Sequence, residues 1–337
     1  MELKGNLGDD KFKSLNQILE RQIDADYDLG ASMALAVDGE IVLDVWGGWA
    51  DEEHTKPWEA DTITNVWSTT KTMTAISALL LMERGSLDPD ATVASYWPEF
   101  AQNGKEDIRV RHILSHTSGV SAWAQPVTTE AILDDEGATA RLAAQAPWWE
   151  PGTAFGYHAL NQGHLVGEVI RRIDGRGLKQ FFAEDVAGPL DADFTIGSPP
   201  ENHHRISNVT PPPPLPLPPD LDPESVTFKT FNGPQPEAEI AHTALWRAAT
   251  IGAANGHGNA RSVAKIQAVI SNGGFSHGVQ LLSPETIDRI FVAQPHGVDQ
   301  VLMMPVRFGL GYDLAAATNS VGITSGKKCY WGGWGGS

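Results

Sequence analysis

The sequence predicts an α/β (α+β) fold: an antiparallel sheet flanked by helices, plus a mostly helical subdomain. Three observations carry this expectation. A helical stripe and a hairpin signal open the chain, apolar residues at helical spacing fill its middle, and strand-like runs return in the last third. A sheet begun by one chain end and completed by the other accounts for that order. The expected division is an α/β domain from 1–67 and 258–337, with a helical subdomain over 68–257.

Phe12, Leu15, Ile18, Leu19 and Ile23 share one face of residues 10–24, so an amphipathic helix comes first. Runs 31–37 and 40–46 flank Asp38-Gly39, a pair suited to the positive φ of a tight hairpin turn. Gly47, Gly48, Asp51 and Pro57 then mark a loop, and Ile63-Thr64-Asn65-Val66-Trp67 an extended approach to the next helix. From Thr70 onward Met73, Ile76, Leu79, Leu80 and Leu81 keep the helical period as far as Gly85, a C-terminal stop. Runs 109–115, 128–146, 158–173 and 178–186 show the same period between Gly and Pro breakers. Seven prolines in 210–219 exclude helix and central strand. That segment reads as a stiff insertion near the site entrance or a polyproline segment for a proline-reading partner. Helices resume at Ala241, 262–270 being the clearest; 279–282, 308–314 and 328–334 read as strands, with a helix over 284–293.

The 337 residues, 41% hydrophobic, suffice for a sizeable core. Forty-two acidic against 24 basic side chains give a formal charge of −18, which repels phosphate backbones and anionic lipid surfaces. Nucleic acid and membrane are therefore not expected as partners. Residues 1–10 are polar, no run is long and apolar enough to cross a bilayer, and a single Cys329 excludes an intrachain disulfide. The expected location is cytoplasmic.

Ser68-Thr69-Thr70-Lys71 holds the chemistry. Ser68 falls at a helix start, where unpaired N–H groups favour developing negative charge, and Lys71 returns three residues later on the same face. An amine desolvated against apolar walls loses its proton readily and can take one from a hydroxyl. An N-cap serine beside a surface lysine is the plainer reading of the same four residues. Tyr157, at the exit of Pro151-Gly152-Thr153-Ala154-Phe155-Gly156, is a candidate acid or base, or simply a packed aromatic. Trp331-Gly332-Gly333-Trp334 puts glycines where a strand is expected, which lets a ligand approach backbone N–H groups.

Together with Leu114-Ser115-His116-Thr117-Ser118-Gly119, Asn255-Gly256-His257-Gly258 and Phe308-Gly309-Leu310-Gly311-Tyr312, this ordered set resembles the serine β-lactamase-like superfamily. The likeness runs from about residue 10 to the C-terminus, and is nearest to family VIII carboxylesterases and related fungal acyltransferases. The resemblance implies a β-lactamase/transpeptidase-like fold with Ser68 as acylated nucleophile and Lys71 as the acceptor of its proton. It implies that Tyr157 shares the base role and passes the proton to the leaving group. Trp331-Gly332-Gly333 falls where penicillin-recognising members carry Lys-Thr-Gly, and the N–H groups of Ser68 and Trp334 would form the oxyanion hole. No metal or cofactor is implied.

Three departures refine this. Tyr157-His158-Ala159 lacks the asparagine that β-lactamases place two residues after the tyrosine, and Trp331 replaces a cation that would attract a penicillin carboxylate. Both favour small neutral esters. Members also continue past Gly-Gly-Ser with a strand and a closing helix, so a C-terminally shortened form is expected of a sequence ending at Ser337. β-Lactamase or D-amino-acid peptidase activity, and a silent binding protein on the same fold, are the alternatives.

Two other motifs carry less. Gly274-Phe275-Ser276-His277-Gly278 fits the nucleophile elbow of α/β-hydrolases, but the expected helix precedes it and a strand follows, with only His296 later; a turn is the better reading. His112 and His116 have a zinc-like spacing without the adjacent glutamate, and read as a helix end. Trp148 and Trp149 are candidates for an acyl pocket or for core.

Overall fold

The computed structural model describes residues 2–211, 220–234, 236–294, 297–314 and 326–337. A short strand β1 (Lys4–Asn6) precedes helix α1 (Lys13–Asp24). The hairpin then forms as its turn residues require: Asp38 and Gly39 take φ of 53° and 82°, joining β2 (Gly30–Val37) to β3 (Glu40–Gly48). The two strands pair antiparallel from Val37↔Glu40 to Gly30↔Gly48, with a bulge at Leu35/Ala36. β1 pairs with the other edge of β3, so the sheet order is β1-β3-β2. Leu19 and Ile23 of α1 bury themselves against Leu43 and Val45, the hydrophobic stripe of one element covering that of the other.

The extended approach ends in β4 (Thr64–Asn65), and α2 (Thr70–Glu83) follows. Every α2 residue from Thr70 to Met82 is buried. It is the central helix of the main core, surrounded by the helices Gln162–Asp174, Leu178–Phe182 and Pro284–Ile290. β4 belongs to a small antiparallel sheet with β5 (Phe194–Ile196) and β6 (Gly256–Gly258), in the order β4-β6-β5. Gly256 and Gly258 are needed there because the Phe194 ring lies across them. A Cβ at either position would stand 2.5 or 2.3 Å from ring carbons.

The architecture is the mixture of helices and antiparallel sheets expected of a β-lactamase/transpeptidase-type fold. Several elements differ in extent from the sequence expectation. The run 128–146 breaks at Asp134 into Thr129–Leu133 and Asp135–Ala144, and the run from 158 becomes helical only at Gln162. Of 308–314, only Asp313–Leu314 is strand: Gly309 and Gly311 allow a tight turn in which the Gly309 N–H donates to the Tyr312 carbonyl. Of 328–334, only Cys329–Tyr330 is strand, paired with Asp313–Leu314. Trp331 onward turns instead, since Gly335 and Gly336 take positive φ (82° and 100°) and the Gly333 N–H closes onto the Ser337 carbonyl. Gly274–Gly278 is a hairpin between Phe275–Ser276 and Val279–Gln280, as read. Residues 212–219 of the proline-rich run, and His296, lie outside the described residues.

Candidate active site

Trp67 decides how Ser68 is presented. Its φ is 43°, a left-handed conformation that a bulky side chain adopts only when its surroundings hold it there. Here the buried indole packs against Trp246 and meets Trp334 edge-on, with centroids 5.4 and 4.9 Å away. The Val66 N–H is tied to the Gly256 carbonyl, and Trp67 bridges Asn255. The chain therefore reverses sharply at Trp67, and successive turns onto the Val66, Trp67 and Ser68 carbonyls carry it into α2. Ser68 is left half-buried at the mouth of that helix.

Lys71 is fully buried, the second residue of α2. Its Nζ lies 3.2 Å from Ser68 Oγ and donates to the carbonyls of Ala159 (2.8 Å) and Ala253 (3.0 Å). It also sits 4.8 Å from the centre of the Tyr157 ring. Burial drives its pKa well below that of a free lysine, because the charged form loses its hydration and no carboxylate among the described residues pairs with it. In its neutral form the amine, with two carbonyls taking its N–H groups, has its lone pair left for the Ser68 hydroxyl.

Tyr157 comes from the far side of the cleft, 89 residues along the chain, and its phenol donates to Ser68 Oγ at 2.8 Å. Burial pushes its pKa up to about 12, against the lowering influence of the Ser68 and Trp331 side chains. Near neutrality the phenol keeps its proton. Ser68 thus stands between an amine whose proton is weakly held and a protonated phenol, an arrangement able to remove one proton and supply another.

Trp331, Gly332, Gly333 and Trp334 do not form the strand expected of them, yet they border the site. The Trp331 ring stacks on Phe308 at 5.6 Å and tilts over Tyr157 at 6.2 Å. Gly333 passes so close to the Val66 carbonyl that a Cβ would stand 2.2 Å from it, and Ser337 Oγ donates to the same carbonyl. Among the described residues, neither the Ser68 N–H nor the Trp334 N–H has an acceptor.

His112 and His116 do not converge on a metal. His112 Nδ1 accepts the Arg109 N–H, and His116 is buried behind Tyr157, its Nδ1 accepting the His158 N–H. Among the described residues there is no cluster of metal-ligating side chains. Trp149 braces the tyrosine loop, its indole N–H donating to the Ala154 carbonyl. Sequence reasoning missed the carbonyls of Ala159 and Ala253 as partners of Lys71, and it missed Asp299, whose carboxylate accepts the Tyr157 N–H. Backbone acceptors have no residue-type signature, and Asp299 has no motif around it. His116 stood in a recognised motif, but its partners are visible only in three dimensions.

The same fold recurs in known proteins. The family model described as Beta-lactamase matches residues 16–337. The Esterase/beta-lactamase LipL of Mycobacterium tuberculosis (strain ATCC 25618 / H37Rv) is 34% identical over 300 residues, covering 84% of this chain and 68% of that protein. The crystal structure of a family VIII carboxylesterase aligns with a TM-score of 0.88 at 36% identity, over 94% of this chain and 84% of that one. A penicillin-binding protein homolog from Caulobacter crescentus aligns with a TM-score of 0.90 at 32% identity, over 99% and 89%. With a match over nearly its whole length, and Ser68 and Lys71 at the start of a buried helix facing Tyr157, the chain belongs to the beta-lactamase family.

Proposed function

We propose that this protein is a serine hydrolase that cleaves small esters through an acyl-enzyme on Ser68, with Lys71 as base and Tyr157 as proton donor. The observation that carries the reading is one oxygen between two groups: Ser68 Oγ is 3.2 Å from the Lys71 amine and 2.8 Å from the Tyr157 hydroxyl. Lys71 takes the serine proton as Oγ attacks the ester carbonyl, and the N–H groups of Ser68 and Trp334 receive the oxyanion. On collapse the C–O bond to the alcohol breaks, the phenol protonates the leaving oxygen, and the Lys71 ammonium returns a proton to the phenol. Water then repeats the sequence on the acyl-enzyme. A phenol pushed up to about 12 acts as relay and acid, which leaves the base role to Lys71.

Neutral esters suit the site better than anionic β-lactams, because Trp331 occupies the place of a cation and the chain carries a charge of −18. LipL is named an esterase/beta-lactamase and the crystal-structure relative a carboxylesterase, and the esterase activity common to both names supports ester cleavage here. Transfer of the acyl group to an alcohol needs no new residue. A cytoplasmic location is supported by the single Cys329, half-buried in a strand. No helix among the described residues is long and apolar enough to cross a membrane.

The test is a rapid-mixing assay with p-nitrophenyl acetate, followed by mass analysis of the peptide that contains Ser68. A burst with one acetyl group on Ser68, absent in Ser68→Ala, is expected. Undiminished turnover by Ser68→Ala would remove the mechanism.

A further inference from the structure

The phenol that meets Ser68 is carried by residues 155–158, a stretch with no helix or strand of its own. Such a segment needs partners for its backbone. Here they come from two distant places. The Gly156 N–H donates to the His116 carbonyl at 3.0 Å, and the His158 N–H donates to His116 Nδ1 at 3.1 Å. Between them the Tyr157 N–H donates to Asp299 Oδ1 at 3.1 Å. Three consecutive amides, centred on the tyrosine, thus end on two residues.

Both residues are built into the protein rather than laid on it. Asp299 is fully buried, and the same Oδ1 also accepts the N–H groups of Val301 and Leu302 at 2.8 Å each. The Gln300 N–H adds a bond to the Phe155 carbonyl. His116 is 1% exposed, its ring 5.1 Å from that of Tyr157 and 4.9 Å from Phe308. Its Nδ1 can accept only while the imidazole is neutral, and burial holds the pKa well below the usual histidine value. His116 has φ of 62°, so its ring faces the tyrosine loop from a conformation that costs energy to hold.

We propose that His116 and Asp299 form a clamp on the backbone of Gly156, Tyr157 and His158, and are positioning residues that hold the phenol where it protonates the leaving oxygen. This rests on the acyl-enzyme reading given above. Both side chains are buried and bond to backbone N–H groups of the tyrosine loop, so their removal displaces the acid without altering the nucleophile or its base.

The reactivity of two esters tests this. p-Nitrophenolate departs without a proton, whereas an alkoxide needs one, so kcat/KM for an ethyl ester reports on the phenol and that for the p-nitrophenyl ester does not. His116→Ala and Asp299→Ala are each expected to lower kcat/KM about 100-fold for ethyl acetate and by less than about fivefold for p-nitrophenyl acetate. His116→Asn keeps a side-chain oxygen near the place of Nδ1 and tolerates the positive φ. It is expected to restore the ethyl ester to within about fivefold of wild type. An equal loss on both esters, no loss on ethyl acetate, or an Asn variant as slow as Ala would overturn the clamp. If Ser68 acylates normally and the ester ratio stays unchanged, the clamp alone falls; if Ser68 is never acylated, both readings fall. If the alanine variants do not fold, hydrogen exchange in the wild-type protein decides. Exchange at Gly156, Tyr157 and His158 about a thousandfold slower than in an open chain supports the clamp, and near-free exchange overturns it.

Discussion

Lys71 has no surface to water and no acidic partner among the described residues, and its two carbonyl contacts cannot neutralise a positive charge. Three consequences belong to this one side chain and its neighbours. First, Ser68→Ala and Lys71→Ala should each lower kcat by about a thousandfold or more on p-nitrophenyl acetate, because members of such a unit fail together. Lys71→Arg should be as inactive as the alanine variant, since a guanidinium stays protonated. Second, the pH profile of kcat/KM should rise on a single limb well below the free-lysine value as Lys71 deprotonates. Ionisation of the Tyr157 phenol, at about 12, should produce no falling limb in the neutral or mildly alkaline range. Third, the folded state binds the Lys71 proton more weakly than the unfolded chain. Between the two pKa values the unfolded chain holds the extra proton, so stability rises with pH there. Lys71→Met removes that dependence and should raise the melting temperature more at pH 6 than at pH 9. An equal shift at both pH values would mean that the amine is not desolvated.

Three elements have to agree before the site exists. The start of α2 supplies Ser68 and Lys71, the loop before the helix Gln162–Asp174 supplies Tyr157 and the Ala159 carbonyl, and the turn leading to β6 supplies the Ala253 carbonyl. Asn255, itself fully buried, locks that turn: it donates to the Trp246 and Ala249 carbonyls and accepts the Ile251 N–H. Gly163 lets the turn lie directly on the helix, where a Cβ would stand 2.5 Å from the Ala253 nitrogen and the Gly252 carbonyl carbon. Gly163→Ala must therefore push the turn away, at a cost of about 1–3 kcal/mol in stability. Withdrawal of the Ala253 carbonyl should also slow ester cleavage about tenfold or more, since small displacements of catalytic groups are costly. Thermal unfolding and kinetics on the variant check both; a full-rate enzyme would show that the Ala253 contact is dispensable. The element that the sequence read least well is the glycine-rich stretch after Tyr330. Period-two patterning gave no sign that Gly333, Gly335 and Gly336 would turn the chain back so that Ser337 reaches Val66 and Thr69.

Across the whole molecule the charge of −18 sets which substrates approach easily. A neutral ester feels no long-range force from it, so kcat/KM for p-nitrophenyl acetate should be unchanged between low and high salt. An anionic cephalosporin should react at least about a hundredfold more slowly and gain from added salt, which screens the repulsion. Equal rates on both would restore the β-lactamase reading. Much of this protein was legible from its amino acids alone: the Asp38-Gly39 hairpin, the first amphipathic helix, and Ser68 just before α2 with Lys71 in its first turn. Each is decided by residues within a turn or two of one another, where backbone conformation and side-chain spacing act directly. The tertiary structure alone decided that Tyr157 meets Ser68, that Ala159 and Ala253 hold the amine, and that His116 and Asp299 hold the tyrosine. Those contacts join segments far apart in the chain and run largely through backbone groups, which every residue type carries and no sequence pattern can single out.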